Sequence, residues 1–423
     1  MLKKWVGLRF LLAVVALSLP LVVLGCSSGG TKAESSTTAK GTVATTSNQQ
    51  VTTTGSVASA VIPTTDTTEP DTFTTTEPVE SPPTSDSSAN PTSSTSSLKQ
   101  AAGTWTDLNP TNPPPGQIMH VLVYCSSIRK MIMFSGADFR GPFDDTWSYD
   151  PAANTWTKLA PSGGSPPPRQ QYAMVYDPDT DKVILFGGGR GQPLFNETWS
   201  YDPAKNTWTH LHPEGDVPPN CQGPAMVYDP VSKNIIRFGG MTFTGDENET
   251  WAYDPAKNTW RNLHPSVSPP GQRILPSMVY DPVGRKMVMW GGLMGAAEAG
   301  ADFAADTWAY DPAANTWTKV ASAGPPWRWG QCMAYDPGRK QVVMFGGSST
   351  GSYPAEVWTY DPADAKWTQF NTTGIAPQGR WFSSWAYDPV SERLIMFGGE
   401  RFDVGADQSD VPTDFGDTWS FKP

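Results

Sequence analysis

The most constraining feature of this 423-residue chain is a sequence repeat with a period of 52 to 55 residues. A short apolar run followed by glycine occurs six times, and the glycines are Gly136, Gly188, Gly240, Gly292, Gly347 and Gly399. Their successive spacings are 52, 52, 52, 55 and 52 residues. A Trp-x-Tyr or Trp-x-Phe motif follows each glycine, at Trp147, Trp199, Trp251, Trp308, Trp358 and Trp419. Self-similarity at a fixed period is typical of folds built from repeated supersecondary units.

Each repeat contains four short segments with strand character. In the second repeat these are strand a (172–176), strand b (182–186), strand c (198–201) and strand d (207–211). Asp-Pro pairs follow strands a and c, where proline presets φ and aspartate accepts hydrogen bonds from turn amides. With 39 glycines, 41 prolines and 17% charged residues, the composition agrees with a turn-rich all-β protein. Four-stranded units repeated around an axis form a β-propeller.

The two ends of the repeat region complement each other. Six copies of strands a, b and c are present, but the chain ends at 419–423 before a sixth strand d. The missing segment stands at the other end, where Thr-Trp-Thr-Asp-Leu at 104–108 matches Thr-Trp-Thr-Lys-Leu at 155–159. We therefore predict a six-bladed β-propeller over residues 103–423. Its N-terminal strand should complete blade 6 and so remove an exposed sheet edge.

An apolar run ending in a glycine pair, a Trp-x-Tyr motif and a second tryptophan together resemble the kelch-repeat family. The second tryptophans are Trp105, Trp156, Trp208, Trp260, Trp317 and Trp367. The resemblance covers Gly103 to Pro423 and implies a propeller of the galactose oxidase/kelch-like type. It also suggests two enzymes for comparison. One is galactose oxidase, which uses copper, and the other is a bacterial kelch enzyme that epimerises sialic acid in the periplasm.

The ionisable residues give little support to either reaction. His120 lies on an inner strand, whereas the other three histidines lie on or just after outer strands, so the four cannot converge on one copper ion. We expect no metal and no cofactor. A general base must reach its proton directly, and it would have to come from His120 or from the long loops. Examples of acids in these loops are Glu298, Asp302, Glu400 and Asp403.

The N-terminal segment resembles a bacterial lipoprotein signal peptide, residues 1–25. Lys3, Lys4 and Arg9 accompany an apolar stretch, 10–24, that is too short for a typical membrane-spanning helix. The stretch ends in Val-Leu-Gly-Cys, which is similar to a lipobox and implies cleavage before Cys26 and lipid attachment to its thiol. The alternative is an ordinary secretory signal with a chance cysteine. We expect a lipid-anchored protein on the extracytoplasmic side of a bacterial cell membrane.

Residues 26–102 are predicted to form a disordered linker between this anchor and the propeller. Of the 74 residues from 27 to 100, 41 are Ser, Thr or Pro. Such a segment cannot bury enough apolar surface to offset the entropy lost on ordering. As a flexible coil, its ends would lie on the order of 50 Å apart.

Composition also restricts the partners. The net charge is −11 and no basic stripe is present, which argues against nucleic acid, because phosphate binding needs clustered Lys and Arg. Cys125, Cys221 and Cys332 stand at distant positions of the repeat, so we expect no disulfide framework. The protein is expected to be a monomer that contacts the membrane only through its lipid.

Strand polarity assigns each loop to one face of the propeller. The a–b and c–d turns share one face, and the b–c and d–a loops share the other. From the glycine to the strand-c tryptophan there are 11 residues in four blades, but 16 in blade 4 and 20 in blade 6. The two long insertions are 293–306 and 400–417. Since scaffolds carry recognition on irregular loops, we predict ligand binding on the b–c face, beside the central opening.

Two groups of residues near this face are candidate ligand contacts. The position seven residues before the strand-a tyrosine holds Gln117, Arg169, Cys221, Arg273, Arg328 and Arg380. Its arginines either ring the channel mouth and attract anions, or form hydrogen bonds between blades. Three tryptophans stand next to Arg328 and Arg380, namely Trp327, Trp329 and Trp381. These rings and His120 either contact a sugar, peptide or aromatic ligand, or pack between blades.

An acidic residue precedes strand c in every blade. These residues are Asp145, Glu197, Glu249, Asp306, Glu356 and Asp417. Six equivalent carboxylates are better explained as structural acceptors for loop amides than as catalytic groups, so we assign no catalytic residue. The sequence predicts a tethered recognition module for a glycan or a protein. The alternative is a sugar-acting enzyme of the kelch class, since a fold alone does not fix function.

Overall fold

The computed structural model describes residues 102–267, 270–295, 302–321, 323–349, 352–404 and 410–423. Within these ranges the chain forms six main β-sheets and no α-helix, which confirms the all-β, six-bladed β-propeller. The strands of each blade are antiparallel and follow the order a, b, c, d, and neighbouring strands a form a closed circle around the axis. The predicted signal peptide, Cys26 and all but the last residue of the predicted linker lie outside the described residues.

The bounds of the main strands follow the repeat closely. Strands a are Val121–Cys125, Ala173–Asp177, Ala225–Asp229, Ser277–Asp281, Trp329–Asp336 and Ser384–Asp388. Strands b are Lys130–Phe134, Lys182–Phe186, Asn234–Phe238, Lys286–Trp290, Gln341–Ser348 and Arg393–Phe397. Strands c are Thr146–Asp150, Thr198–Asp202, Thr250–Asp254, Thr307–Asp311, Val357–Asp361 and Thr418–Lys422. Strands d of blades 1 to 5 are Thr155–Leu159, Thr207–Leu211, Thr259–Asn262, Thr316–Ala321 and Lys366–Phe370.

Four b–c loops also fold into two-stranded ribbons on the b–c face. The paired strands are Ala137–Asp138 with Gly141–Pro142 in blade 1, Met241–Thr242 with Gly245–Asp246 in blade 3, Leu293–Met294 with Asp302–Phe303 in blade 4, and Glu400–Val404 with Asp410–Asp414 in blade 6. The two predicted long insertions are therefore at least partly ordered as ribbons. Glu298, one of the candidate bases, lies outside the described residues.

Blade 6 is completed by the start of the repeat region, as the sequence predicts. Strand Gly103–Asp107 runs antiparallel to the last strand of the chain, with Trp105 opposite Phe421. On its outer side it pairs in parallel with the short strand Thr372–Thr373, which the sequence analysis did not predict. Because the first strand of the propeller lies within the last blade, the ring closes and the outer edge of that blade is covered.

Neighbouring blades are joined by a buried hydrogen bond that recurs around the ring. In five places the strand-d tryptophan donates its indole N–H to the threonine hydroxyl that starts strand c of the preceding blade, at 2.8–3.0 Å. The pairs are Trp156–Thr418, Trp208–Thr146, Trp260–Thr198, Trp317–Thr250 and Trp367–Thr307. The ring of each tryptophan fills the space between sheets, and its one polar atom is satisfied there, which is what a buried indole requires.

The turns on the opposite face have the chemistry that Asp-Pro predicts. In blade 2, Asp177 Oδ1 accepts a hydrogen bond from the backbone N–H of Asp179 at 3.0 Å. The c–d turns of blades 1 to 4 each place an asparagine at positive φ, where Asn is favoured over other side chains. Its Oδ1 accepts the strand-c tyrosine O–H at 2.7–2.8 Å. This face is therefore a uniform framework.

Cys125, Cys221 and Cys332 are free and buried in three different blades, which confirms the expectation that they do not pair. Among the described residues no helix has the length and apolar character needed to span a membrane.

Candidate functional site

The four candidate arginines do not face the channel. Their side chains are 0–2% exposed. In each blade the arginine Nη1 donates to the carbonyl of the first glycine of the pair at 3.0–3.3 Å, in the combinations Arg169–Gly187, Arg273–Gly291, Arg328–Gly346 and Arg380–Gly398. The guanidinium groups are thus enclosed within the blades. Of the two alternatives that the sequence left open for these arginines, this geometry favours hydrogen bonds within the framework over an exposed ring of cations at the channel mouth.

The acidic residues before strand c are the partners of these arginines. The ion pairs are Arg169–Glu197, Arg273–Asp306, Arg328–Glu356 and Arg380–Asp417. The carboxylate also accepts the indole N–H of the strand-c tryptophan, as in Trp199 to Glu197 at 3.0 Å. The predicted structural role of these acids is therefore correct, although their partners include guanidinium and indole groups in place of the loop amides we expected.

Blade 3 has a similar arrangement that is made by a different arginine and a different acid. Cys221 occupies the usual arginine position, and Arg237 of strand b extends its fully buried side chain into the space. Arg237 Nη2 donates to Cys221 Sγ at 2.9 Å and lies 3.4 Å from Glu247 Oε2. A buried guanidinium beside a carboxylate is thus retained in this blade, which supports a framework role for the group.

The additional tryptophans belong to a packed cluster on the b–c face. Trp329 and Trp381 are buried and meet edge to face, with ring centroids 4.7 Å apart. Phe382 packs against both rings. Trp327 is only half-buried and stacks on Phe303 of the blade 4 ribbon at 4.0 Å. Packing between blades therefore accounts for Trp329, while Trp381 also lines the cleft described below.

His120 is buried beside the axis. Its Nε2 lies 3.1 Å from the carbonyl oxygen of Phe397, in the neighbouring blade 6. Burial lowers the pKa of His120 to about 4, with the bond to Phe397 acting in the opposite direction, so the ring is neutral at physiological pH. His210, in contrast, stacks on Trp199 in the outer half of blade 2. In the described part of the chain, no three His, Cys, Asp or Glu side chains are grouped so that they could hold a metal ion.

The residues that line the axis stand two positions after the arginine position. They are Met119, Gln171, Gly223, Leu275, Gly330 and Phe382, and all six have φ between 53° and 68°. Backbone hydrogen bonds join four of the six successive pairs, as from the Leu275 N–H to the carbonyl of Gly223 at 2.8 Å. A cavity of about 130 Å³ lies among them. The left-handed backbone turns the chain here, so the arginine points into its blade while the later residue faces the axis.

A larger cleft of about 470 Å³ opens on the b–c face among blades 6, 1 and 2, and we call it the loop-face cleft. Its lining residues are Ile118, Met119, Ala137, Asp138, Phe139, Arg140, Gly141, Pro142, Gln170, Arg190, Trp381, Glu400, Phe402 and Pro412. Phe139, at the tip of the blade 1 ribbon, is 77% exposed. An aromatic side chain held in solvent beside a partly apolar cleft is typical of a binding surface.

The charges of the loop-face cleft are arranged around this apolar surface. Arg140 Nε and Nη2 donate to Asp138 at 2.7 and 2.5 Å. Arg190 is exposed and forms no ion pair with any described residue. Burial, together with the nearby Asp414, raises the pKa of Glu400 to about 8 despite a hydrogen bond from Trp381. Glu400 is therefore largely protonated at neutral pH. Because Arg140 and Arg190 also line the cleft, its net charge is less negative than that of the whole chain.

Sequence reasoning identified part of this site. The b–c face and the long insertion of blade 6 were predicted, and Glu400 was named as an ionisable group of that insertion. The ribbon of blade 1 was missed because its loop has the ordinary length of 11 residues from glycine to tryptophan. The available signal was its content, since an aromatic residue, Phe139, stands in the middle of a short loop. The insertion of blade 4 contributes no described residue to the cleft.

Comparison with known proteins agrees with this architecture. The family described as the KLHDC2/KLHL20/DRC7 Kelch-repeats domain matches residues 85–276 and 229–423. A Rab9 effector protein with kelch motifs from Xenopus laevis is 28% identical over 42% of this chain and 48% of its own length. The host cell factor homolog hcf-1 of Caenorhabditis elegans is 32% identical over 31% of this chain and 17% of its own. The human leucine-zipper-like transcriptional regulator 1 is 26% identical over 40% and 20%. The chain thus spans less than half the length of each of these relatives.

Proposed function

The chain belongs to the Kelch-repeat family, and from that premise we propose that it recognises another protein through the loop-face cleft. Propellers of this family are typically protein-binding modules, and one relative is by name an effector of another protein, Rab9. The observation that carries the proposal is that exposed Phe139 and exposed Arg190, which forms no ion pair with any described residue, both line a partly apolar cleft. Aromatic and arginine side chains are the residues most often responsible for the affinity of protein interfaces.

The framework supports this use of the cleft. The buried arginines and the outer-strand tryptophans fix the blades, so the walls of the cleft stand on rigid sheets. Its contact residues come from three blades, namely Phe139 from blade 1, Arg190 from blade 2 and Phe402 from blade 6. A partner segment lying across these blades would meet both apolar surface and a guanidinium group that is free to pair with a carboxylate.

We further propose that the propeller acts outside the cytoplasm, tethered through lipid on Cys26. This part rests on the N-terminal sequence alone. Labelling cells with a radioactive fatty acid should mark the wild-type protein and leave Cys26→Ala unlabelled, with the variant released from the membrane fraction. Equal labelling of the two proteins would contradict the assignment, because no other residue of the lipobox can carry a thioether.

The recognition proposal is tested by site-specific photo-crosslinking of the full chain in cells. A photo-reactive phenylalanine analogue at position 139 should capture a discrete protein partner. Arg190→Glu should reduce that product at least ten-fold, since it replaces an exposed cation of the cleft with an anion. The matched control is the analogue at Phe243, which occupies the equivalent tip of the blade 3 ribbon, is 58% exposed and does not line the cleft.

Two further outcomes decide the result. Lys340→Glu is the charge control, because Lys340 is exposed in an a–b turn on the opposite face and should leave crosslinking unchanged. Equal capture from positions 139 and 243, or equal loss in both charge variants, would mean that the cleft is not the contact. If the captured ligand carried a glycan and enzymatic deglycosylation abolished its capture, the group bound at the cleft would be a sugar and not a protein surface.

A sugar-acting enzyme remains the second candidate because of one observation. Glu400 lines the cleft and retains its proton near neutral pH, and a carboxylic acid of that kind can serve as a general acid. The full chain would then turn over a component of a mixed sugar pool. Glu400→Gln should abolish that turnover without changing the thermal unfolding of the protein. Turnover that survives this substitution would exclude Glu400 as the acid.

A further inference from the structure

The ribbon of blade 6 has two carboxyl groups opposite each other at its base. Its strands, Glu400–Val404 and Asp410–Asp414, are antiparallel, and Glu400 is the cross-strand partner of Asp414. Glu400 is 8% exposed, and Asp414 is half-buried. Like charges directly opposite on adjacent strands are destabilising, and the repulsion is greater where water is excluded. The ribbon therefore cannot hold both groups ionised without cost.

The surroundings of the pair supply little compensating charge. From the segment that leads into strand a of blade 6, Trp381 donates its indole N–H to Glu400 Oε1 at 3.0 Å. From the ribbon of blade 1, Asp138 adds to the negative charge near Asp414, and Arg140 opposes it while already paired with Asp138. Within the ribbon itself, Arg401 pairs with Asp403. Arg140 and Arg401, the two cations named here, are thus paired with other carboxylates.

A shared proton resolves the repulsion. Burial, reinforced by the opposite Asp414, raises the pKa of Glu400, and burial likewise raises the pKa of Asp414. At neutral pH the protonated Glu400 can donate its O–H to the Asp414 carboxylate while it accepts the Trp381 N–H. Each of the three groups then has a hydrogen-bond partner, and the base of the ribbon is linked to the body of blade 6.

We propose that the proton shared by Glu400 and Asp414 holds the ribbon of blade 6 against the propeller, and that its loss loosens the ribbon and weakens binding in the loop-face cleft. The link to the cleft is direct because the ribbon contributes Phe402 and Pro412 to its wall. Phe402 also packs on Trp381, with ring centroids 6.2 Å apart. The second half of the inference rests on the proposed function, and the first half does not.

The direction of the effect follows from linkage. Both carboxyl groups have a higher pKa in the folded protein than in the unfolded chain, so the folded state binds the proton more tightly. The stabilisation that this provides is complete below the unfolded values, near pH 4, and is lost as the pH rises through the folded value of Glu400, about 8. The ribbon should therefore be firmly attached at pH 6 and loosened at pH 9.

Hydrogen exchange on the full chain tests the first half. After correction for the intrinsic rate, the backbone amides of residues 401–403, 411 and 413 should exchange at least ten-fold faster at pH 9 than at pH 6. In Glu400→Gln the difference should disappear, because the amide accepts from Trp381 and donates to Asp414 at every pH. Asp414→Asn is a second variant for the same purpose. In the blade 3 ribbon, Met241–Thr242 with Gly245–Asp246, the cross-strand partner of Asp246 is Met241, and this ribbon is the internal control.

Two results would overturn this half of the inference. One is wild-type exchange that shows no excess at pH 9, and the other is an excess that persists in both variants. Crosslinking from position 139 tests the second half, and its yield should fall between pH 6 and pH 9 in the wild type but stay constant in Glu400→Gln. If hydrogen exchange depended on pH but crosslinking did not, the ribbon would loosen without affecting binding, and the second half of the inference would be wrong. Absence of crosslinking at either pH would instead contradict the proposed function and leave the exchange result standing.

Discussion

Trp156 Nε1 donates a hydrogen bond to Thr418 Oγ1 at 3.0 Å, and this contact joins blade 1 to the last strand of the chain. The same pair recurs at four other junctions but is broken at the sixth. Strand c of blade 5 starts with Val357 in place of threonine, and the facing tryptophan of blade 6 is Trp105. Trp105 Nε1 is buried without a hydrogen-bond partner among the described residues. The weakest polar contact between blades therefore lies where the N-terminal strand closes the ring.

Val357→Thr should stabilise the propeller by supplying the missing acceptor. The two side chains have nearly the same shape, and the new hydroxyl would stand where Thr307 and its equivalents stand in other blades. A net intramolecular hydrogen bond is worth about 1 kcal/mol, and the gain includes relief of an unsatisfied indole N–H. We expect a higher midpoint of urea unfolding with an unchanged slope.

The reciprocal substitution is the control for this prediction. Thr307→Val removes the acceptor of Trp367, which lies 2.8 Å away, and should cost about 1–3 kcal/mol by leaving a buried donor unsatisfied. If both variants were destabilised, the indole N–H of Trp105 would already have another hydrogen-bond acceptor, and the prediction for Val357→Thr would be wrong.

The blades and their closure were predictable from the sequence because they depend on repeated local patterns. Strand boundaries follow from apolar runs and Asp-Pro turns, and the match between the segments around Trp105 and Trp156 was enough to assign the first strand to the last blade. The parallel strand Thr372–Thr373 was not predictable, since two residues carry no periodic signal. Features that recur in every blade could be predicted from the sequence, whereas this strand, which occurs in one blade, could not.

The candidate site was predicted less well because side-chain direction depends on backbone conformation. The sequence suggested that Arg169 and its equivalents could ring the channel mouth, but a residue at positive φ two positions later reverses the chain. Met119, Leu275 and Phe382 occupy that position, and none of these residue types indicates a left-handed conformation. The arginines consequently point into the blades, and an ordinary loop carrying Phe139 forms the cleft. Neither fact follows from residue type or spacing.

Ala365→Asn should stabilise the c–d turn of blade 5. Ala365 has φ of 51°, a conformation that costs alanine roughly 1–2 kcal/mol and that asparagine adopts more readily. The equivalent Asn315 also accepts the O–H of Tyr310 at 2.7 Å, a bond that an asparagine at 365 could form with Tyr360. We expect a thermal midpoint a few degrees higher, measured by circular dichroism. Asn315→Ala should lower it, and a shift in the same direction for both variants would contradict the reasoning.

Acid should destabilise the propeller through the carboxylates that hold the buried arginines. Burial disfavours the ionised form of Asp306, but hydrogen bonds from Arg273 and Trp308 and the charges of Arg273 and Lys319 outweigh it and lower its pKa to about 2. A carboxyl with a depressed pKa stabilises the fold above its unfolded value, near 4, and loses that contribution as the pH falls towards 2. The difference in unfolding free energy between wild type and Asp306→Asn should therefore be constant from pH 7 to 5 and shrink below pH 4. A constant difference down to pH 2 would show that the charge of Asp306 is unimportant.

A comparison of Arg169→Met with Arg190→Ala should distinguish an arginine that stabilises the fold from one that contacts a partner. Removal of the guanidinium leaves Glu197 without its charge partner and the Gly187 carbonyl without its donor, and breaking such a buried pair typically costs about 3–5 kcal/mol. Arg190→Ala, in contrast, removes an exposed side chain and should change unfolding by less than about 0.5 kcal/mol. Denaturant unfolding measures both effects, and crosslinking from position 139, normalised to folded protein, should fall only in the Arg190 variant. If Arg169→Met folded normally and lost crosslinking, the original expectation of an arginine that contacts ligand would be restored.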